Sequence, residues 1–210
     1  MFWPCILGEN SNNIGDLCLE AFLLSTGIVG LAEMGDKTQL LSIVLAARFK
    51  RPWPIVWGIL VATLLNHGMA GAAGSWITDT LGPDLMRWIL GASFLGMAVW
   101  TLIPDKLDED DTAPPKRGMG VFMATAVAFF LAEMGDKTQF ATVALGAQYE
   151  PLWAVVVGTT LGMMLANVPA VFFGEALTRR VPIKAVHRVA AVIFAALGVA
   201  VLLGWDKTSF

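Results

Sequence analysis

The nine residues Leu31 to Gln39, LAEMGDKTQ, recur unchanged at Leu131 to Gln139, and both copies lie in long runs of Leu, Val, Ile, Ala, Phe, Trp and Gly. Two acids and a lysine are thus placed twice inside sequence that otherwise suits lipid. An ionisable side chain at the centre of a bilayer costs roughly 2.5 to 3.5 kcal/mol, so the six in the two copies would cost on the order of 15 to 20 kcal/mol if left unpaired. Something in the fold has to offset that. Within a copy, Glu33 precedes Asp36 by three residues and Lys37 by four, a spacing that lets acids and lysine share one face of a continuous helix. Counting both copies, four carboxylates against two ammonium groups leave two negative charges, which one divalent cation or two protons would balance.

Composition agrees with a lipid setting. Of 210 residues 56% are hydrophobic and 15% charged, with mean hydropathy +0.67, whereas soluble domains carry about 25% charged residues. The chain therefore reads as an integral membrane protein. Its net charge of -3 is small and its basic residues are scattered over short loops, so nothing points to a nucleic-acid partner, and no obligatory protein partner is evident. Cys5 and Cys18 both precede the first long apolar run, and a disulfide between them requires an oxidising compartment. The opening MFWPCILGENSNNIGD lacks the basic stretch and small-residue cleavage site of a signal peptide, so the first spanning segment is expected to serve for targeting.

Apolar segments fall at Leu17 to Ala47, Trp53 to Ile77, Leu85 to Ile103, Val121 to Ala147, Trp153 to Leu177 and Ile183 to Gly204. Six segments, three per half, predict an all-α membrane protein of six transmembrane helices. The first segment of each half is too long for one span of about 20 residues and too short for two with a turn. Gly35-Asp36 and Gly135-Asp136 interrupt these segments near their middles, predicting a kinked or broken helix whose freed backbone lines a cavity. The repeat continues without a gap at an offset of 100 residues, pairing Trp53 with Trp153, Gly58 with Gly158, Leu65 with Leu165 and Gly74 with Gly174. With an odd number of spans per half, the second half enters the membrane from the opposite side, an inverted-topology repeat.

The expected organisation is an extracytoplasmic segment 1–16, a first repeat 17–103, a cytoplasmic acidic and Pro-rich linker 104–118, a second repeat 119–205 and an extracytoplasmic tail 206–210. Orientation follows from basic residues near segment ends. Arg48, Lys50, Arg51, Lys106, Lys116, Arg117, Arg179, Arg180, Lys184 and Arg188 fall on one side, against Arg87 and Lys207 on the other, so the first side is cytoplasmic and both termini are outside. The linker acids Asp105, Asp108, Glu109, Asp110 and Asp111 could attract cations, but a solvated linker explains them as well. Trp53, Trp76, Trp100, Trp153 and Trp205 fit an interfacial belt, and the glycines close helix packing.

Carboxylate oxygens suit hard cations such as Ca²⁺, Mg²⁺ and Mn²⁺, while tight Zn²⁺ or Cu sites bring Cys or His. Neither motif copy holds Cys or His. Glu33, Asp36, Glu133 and Asp136 are therefore the candidate metal ligands, helped by the hydroxyls of Thr38 and Thr138 and the amides of Gln39 and Gln139. Lys37 and Lys137 are either tethers of the neighbouring acids or counter-ions that replace the metal. Asn66 and Asn167, near mid-membrane depth, are candidate amide donors or ordinary interhelical hydrogen-bond formers. His67 stands opposite Asn167 in the repeat and could relay protons or simply pack. Ser42 and Thr142 extend the polar line or bond back to helix carbonyls. Glu175 has Arg179 close by for a local salt bridge. The plain alternative for the whole set is an internal ion-pair network that locks helices.

The repeated Glu-x-Gly-Asp-Lys-Thr, Glu33 to Thr38 and Glu133 to Thr138, resembles the signature of the GDT-type family. That family is a branch of the cation/Ca²⁺ exchanger superfamily which includes Golgi Ca²⁺/Mn²⁺ transporters and bacterial MneA-like manganese exporters. The resemblance covers nearly the whole chain. It implies cation:proton antiport with metal at Glu33, Asp36, Glu133 and Asp136, and Lys37, Thr38, Lys137 and Thr138 beside them. Transported Mn²⁺ or Ca²⁺ and protons are then the only small ions called for, without a cofactor. The expectation is Mn²⁺ efflux across a bacterial inner membrane, with Ca²⁺/H⁺ exchange as the rival; a soft ligand would favour Mn²⁺, and Met34 and Met134 either serve as one or simply pack. An intramembrane metal-dependent enzyme would more often use histidines, of which there are His67 and His187. A passive channel would show no proton-driven flux.

Overall fold

Glycine decides the local backbone at both motifs. Gly35 and Gly135 have φ of 83° and 77°, left-handed values that cost an L side chain and nothing for glycine. Each ends one helix and redirects the chain into the next. The computed structural model describes residues 11–81, 83–103, 120–174 and 183–204, and among them there are eight helices and no strand. They are α1 (Ser11–Glu33), α2 (Lys37–Phe49), α3 (Pro52–Leu81), α4 (Pro83–Thr101), α5 (Val121–Glu133), α6 (Lys137–Gln148), α7 (Leu152–Phe173) and α8 (Ile183–Leu203). The linker 104–118, the Glu175 and Arg179 pair and the C-terminal tail lie outside the described residues.

Four stretches are long and apolar enough to cross a membrane: Gly15–Glu33, Pro52–Leu81, Leu152–Phe173 and Lys184–Leu203. Leu85–Thr101 and Val121–Glu133 are shorter apolar helices. The protein is an integral membrane protein, and its surface reads accordingly. Trp76, Val192, Phe173 and Leu203 are among many large apolar side chains left open on the outside, a surface that a soluble monomer rarely carries. Trp53 and Trp153 are exposed near the starts of α3 and α7, whereas Trp100 is half-buried.

Helix edges depart from the apolar runs in understandable ways. Within the described residues α1 is already helical at Ser11, ahead of Leu17. α7 stops at Phe173 because Gly174, with φ 55°, accepts the turn.

The two halves exchange their packing. α1 lies along α7, and α5 along α3, so each broken helix rests on the middle helix of the other half. Glycines set the closeness of approach. A Cβ on Gly158 would sit 2.6 Å from the Phe22 carbonyl and 3.0 Å from the Ser25 Cβ. One on Gly58 would sit 2.9 Å from the Phe122 carbonyl and 2.8 Å from the Thr125 Cβ. The same contact is made twice, at positions 100 residues apart. The outer pair α4 and α8 does not follow this exchange. It packs on itself, through a stack of Phe94 on Phe194 with ring centroids 6.4 Å apart, and then on α1 and α6.

Candidate functional site

Glu33 closes α1, and Asp36 opens α2 as its N-cap; Glu133 and Asp136 do the same for α5 and α6. An N-cap aspartate ordinarily bonds the first free amides of its helix. Neither Asp36 nor Asp136 makes such a cap bond, which leaves the carboxylates to face across the protein. The positive ends of the α2 and α6 dipoles lie beside these acids.

The lysines pair across the repeat. Lys137 Nζ is 2.8 Å from Asp36 Oδ1, with both side chains fully buried, and Lys37 Nζ is 3.2 Å from Asp136 Oδ1, with the lysine 20% exposed. Continuous helix would have put acids and lysine of one copy on one face. The turn at 34–36 removes that register, so the partner of each lysine comes from the other copy.

Carboxylate oxygens of Glu33, Asp36 and Asp136 come within 4.8 Å of one another, and all three residues are buried. Two oxygens bound to one cation at about 2.1 to 2.5 Å are themselves about 3 to 5 Å apart, so these three are spaced to share an ion. Glu133 is buried too but falls outside that group of three. One oxygen of each glutamate is held by its own motif, Thr38 Oγ1 donating to Glu33 Oε2 at 2.6 Å and Thr138 Oγ1 to Glu133 Oε2 at 2.8 Å. Their other oxygens, Oε1 in each case, and Asp136 Oδ2 accept no hydrogen bond.

The remaining candidates divide by task. Gln39 Oε1 accepts from the Gly35 amide at 2.9 Å and Gln139 Oε1 from the Gly135 amide at 2.8 Å. Both glutamine oxygens therefore brace the turn, and the amide nitrogens reach across to the other half. Gln39 Nε2 donates to the Ala166 carbonyl at 3.0 Å and Gln139 Nε2 to Asn66 Oδ1 at 2.5 Å. Asn66 and Asn167 consequently do different work. Asn66 also donates to the Phe130 carbonyl at 3.3 Å, tying α3 to α5. Asn167 lies against the first motif, donating to Glu33 Oε2 at 3.4 Å and accepting from Ser42 Oγ at 2.8 Å. Thr142 bonds back to the Thr138 carbonyl.

Sequence reasoning offered Met34 and Met134 as soft ligands or as packing residues. Met134 is 54% exposed. Met34 is half-buried, and its carbonyl lies 2.7 Å from His187 Nε2 of α8. The methionine near the site is Met163, fully buried one turn before Asn167, whose Nδ2 lies 3.0 Å from its Sδ. The only signal for it was its helical spacing from Asn167. Cys18 is disulfide-bonded, and Cys5 lies outside the described residues.

Comparison with known proteins follows the same lines. A family model described as "Divalent cation/proton antiporter GDT1" matches residues 21–109 and again 121–209. A Vibrio cholerae protein named "Putative manganese exporter" is 48% identical over 183 residues, covering 87% of this chain and 90% of its own. A GDT1-like protein of Synechocystis is 28% identical, covering 90% of this chain and 98% of its own. The "Divalent cation/proton antiporter GDT1" of Saccharomyces cerevisiae is 23% identical, covering 84% of this chain and 81% of its own. No solved structure matches.

Proposed function

Because the chain belongs to the divalent cation/proton antiporter GDT1 family, we propose that it expels Mn²⁺ in exchange for protons at the site where its two motifs meet. The observation that carries this reading is the convergence of Glu33, Asp36 and Asp136, one acid pair from the first copy and one acid from the second, within 4.8 Å in the protein interior. A single motif copy would not build it.

Charge supplies the coupling. Glu33, Asp36, Glu133 and Asp136, set against Lys37 and Lys137, leave two negative charges when all are ionised. One divalent cation neutralises them, and so do two protons, but both together would leave the buried site with a net positive charge. Metal and protons therefore exclude one another, which is the requirement for antiport. The carboxylate oxygens without a hydrogen bond are the atoms that would hold the ion, and the cross-repeat lysines balance two of the four acid charges.

The architecture we infer is six spans as two inverted three-helix repeats, 17–103 and 119–205, with both termini outside a bacterial inner membrane. The exchanged contacts of Gly58 and Gly158 support it, and so does a family model that matches twice at an offset of 100 residues. The disulfide at Cys18 suits an extracytoplasmic first turn. Access at one side is supported by the unequal burial of the two ion pairs, since Lys137 and Asp36 are sealed while Lys37, beside Asp136, is 20% exposed. Rocking of α4 and α8 from one motif break towards the other would reverse that inequality.

Mn²⁺ is the preferred cargo on the strength of the Vibrio cholerae relative; Ca²⁺ is the second reading, favoured by the oxygen character of the acids. The test is metal uptake into inside-out vesicles under an imposed pH gradient, for the parent, Asp36→Asn and Asp136→Asn. Mn²⁺ accumulation that needs the gradient and is lost in both variants is expected. Preference for Ca²⁺ would change the cargo and keep the mechanism, whereas full activity in both variants would remove the site.

A further inference from the structure

On α2, Gln39 and Ser42 are three residues apart and share a face, and together they hold α7 at two consecutive residues. Gln39 Nε2 donates to the Ala166 carbonyl at 3.0 Å, and Ser42 Oγ donates to Asn167 Oδ1 at 2.8 Å. With its oxygen taken by Ser42, Asn167 turns Nδ2 to three acceptors: the Met163 carbonyl at 3.1 Å, Met163 Sδ at 3.0 Å and Glu33 Oε2 at 3.4 Å. The reverse orientation would set Oδ1 against the Met163 carbonyl, which has no proton to give. Glu33 Oε2 also accepts from Thr38 Oγ1 at 2.6 Å, so donors from two helices meet on one oxygen of this carboxylate, and Oε1 accepts nothing. Ser42, Asn167 and Glu33 are all fully buried, where a satisfied polar network restricts motion and a broken one is costly.

The second half is built differently. Thr142, which matches Ser42, turns its hydroxyl back to the Thr138 carbonyl at 2.8 Å. Position 67, which matches 167, is a histidine whose ring has no hydrogen-bond partner. Glu133 Oε2 accepts from Thr138 Oγ1 of its own motif. Of the two glutamates, the one also reached by the facing helix is the one grouped with Asp36 and Asp136, and Glu133 falls outside that group.

We propose that Asn167 is a positioning residue for Glu33, itself held in orientation by Ser42, and that this relay makes the first motif the pre-ordered half of the cation site. The inference rests on the antiport reading above and adds which half sets metal affinity. A carboxylate already fixed through one oxygen gives up less side-chain freedom when its other oxygen binds an ion. Neither Asn167 nor Ser42 has to touch the ion, so their loss weakens binding without removing a ligand.

Two readouts test this: Mn²⁺ affinity, from the EPR signal of free ion titrated into full-length protein in lipid nanodiscs, and the apparent Km and maximal rate of uptake driven by a pH gradient in proteoliposomes. Asn167→Leu, which keeps the bulk and removes the donor, should weaken binding and raise Km about tenfold or more, the usual loss for a residue that orients a metal ligand. The maximal rate at saturating metal should be retained. Ser42→Ala should weaken binding about threefold, as one neutral hydrogen bond allows, and should change nothing further in the Asn167→Leu background. Thr142→Ala should bind as the parent does. Effects of Ser42→Ala and Asn167→Leu that multiply, or equal losses in Ser42→Ala and Thr142→Ala, would overturn the relay. So would a fall in maximal rate with affinity unchanged, which marks a packing role. Mn²⁺ binding in the parent without uptake driven by the gradient would end the antiport reading, while the affinity comparison still decides the relay. Ser42→Ala against Thr142→Ala decides it even if Asn167→Leu folds poorly.

Discussion

The two lysine-aspartate pairs are related by the repeat but differ in burial, and that difference makes a quantitative prediction. At 2.8 Å and an effective dielectric of about 20, the attraction between Lys137 and Asp36 is about 6 kcal/mol before the cost of desolvation. Removing one partner from a fully buried pair strands the other, at roughly 3 to 5 kcal/mol, while removing both is close to neutral. A cycle of Lys137→Met, Asp36→Asn and the double variant should therefore show a coupling of roughly 6 to 10 kcal/mol. Lys37 is 20% exposed beside Asp136, so water screens the second pair, and the same cycle there should give about 1 kcal/mol. The assay is thermal unfolding in lipid nanodiscs, followed by tryptophan fluorescence, with chelator present so that no cation stands in for the missing lysine. For a chain of this size the couplings correspond to roughly 12 °C or more and 2 to 4 °C. Any loss of the dipole interaction at Asp36 or Asp136, neither of which makes a cap bond, is common to single and double variants and cancels in each cycle. Additive effects for Lys137 and Asp36, or a larger coupling between Lys137 and the Asp136 of its own copy, would refute pairing across the repeat.

Further outcomes follow from named contacts. A Cβ on Gly162 would lie 2.6 Å from the Thr26 carbonyl and 2.7 Å from the Gly30 nitrogen; Gly162→Ala should force α1 from α7 and cost about 1 to 3 kcal/mol in thermal unfolding. Gly96→Ala, where a Cβ meets nothing within 4 Å, should unfold no earlier than the parent. Cysteine placed at Met134 should react with a water-soluble thiol reagent faster than cysteine at Met34, and His187→Ala should speed the second reaction by releasing the bond to the Met34 carbonyl. Equal rates at the outset would argue against one-sided access. Lowering the pH on the metal-loading side should raise the apparent Km for metal, because protons and metal balance the same two negative charges; a Km independent of pH there would contradict that exclusion.

What was legible in the sequence and what was not divides along a physical line. The apolar runs, the duplication and the break at glycine are written in consecutive residues, and the helices end at Glu33 and Glu133 as those residues require. Partnership across the repeat is not written locally. Glu33, Asp36 and Lys37 satisfy a helical spacing that the chain does not use, since the left-handed turn at Gly35 sends the lysine to the other copy. Asn66 and Asn167 looked like a pair, yet they stand one register apart, so the first braces a motif and the second contacts its glutamate. Met163 was one methionine among ten, distinguished only by its position one turn from Asn167.

The placement of α4 and α8 was hidden for a deeper reason. A gapless repeat describes a molecule whose two halves are interchangeable, whereas the pair α4 and α8 lies against α1 and α6 and bonds the Met34 carbonyl through His187. The residue matching His187 is Arg87, which cannot accept a hydrogen bond or switch tautomer as a histidine can. The two closures are therefore similar in shape and unequal in chemistry. That inequality leaves the direction of net flux to the gradients, as in any exchanger, and lets the empty site rest closed on one side more than on the other. Sequence symmetry thus describes the two halves, and departures from it such as Met163, which Thr63 matches, and His187, which Arg87 matches, make those halves chemically distinct.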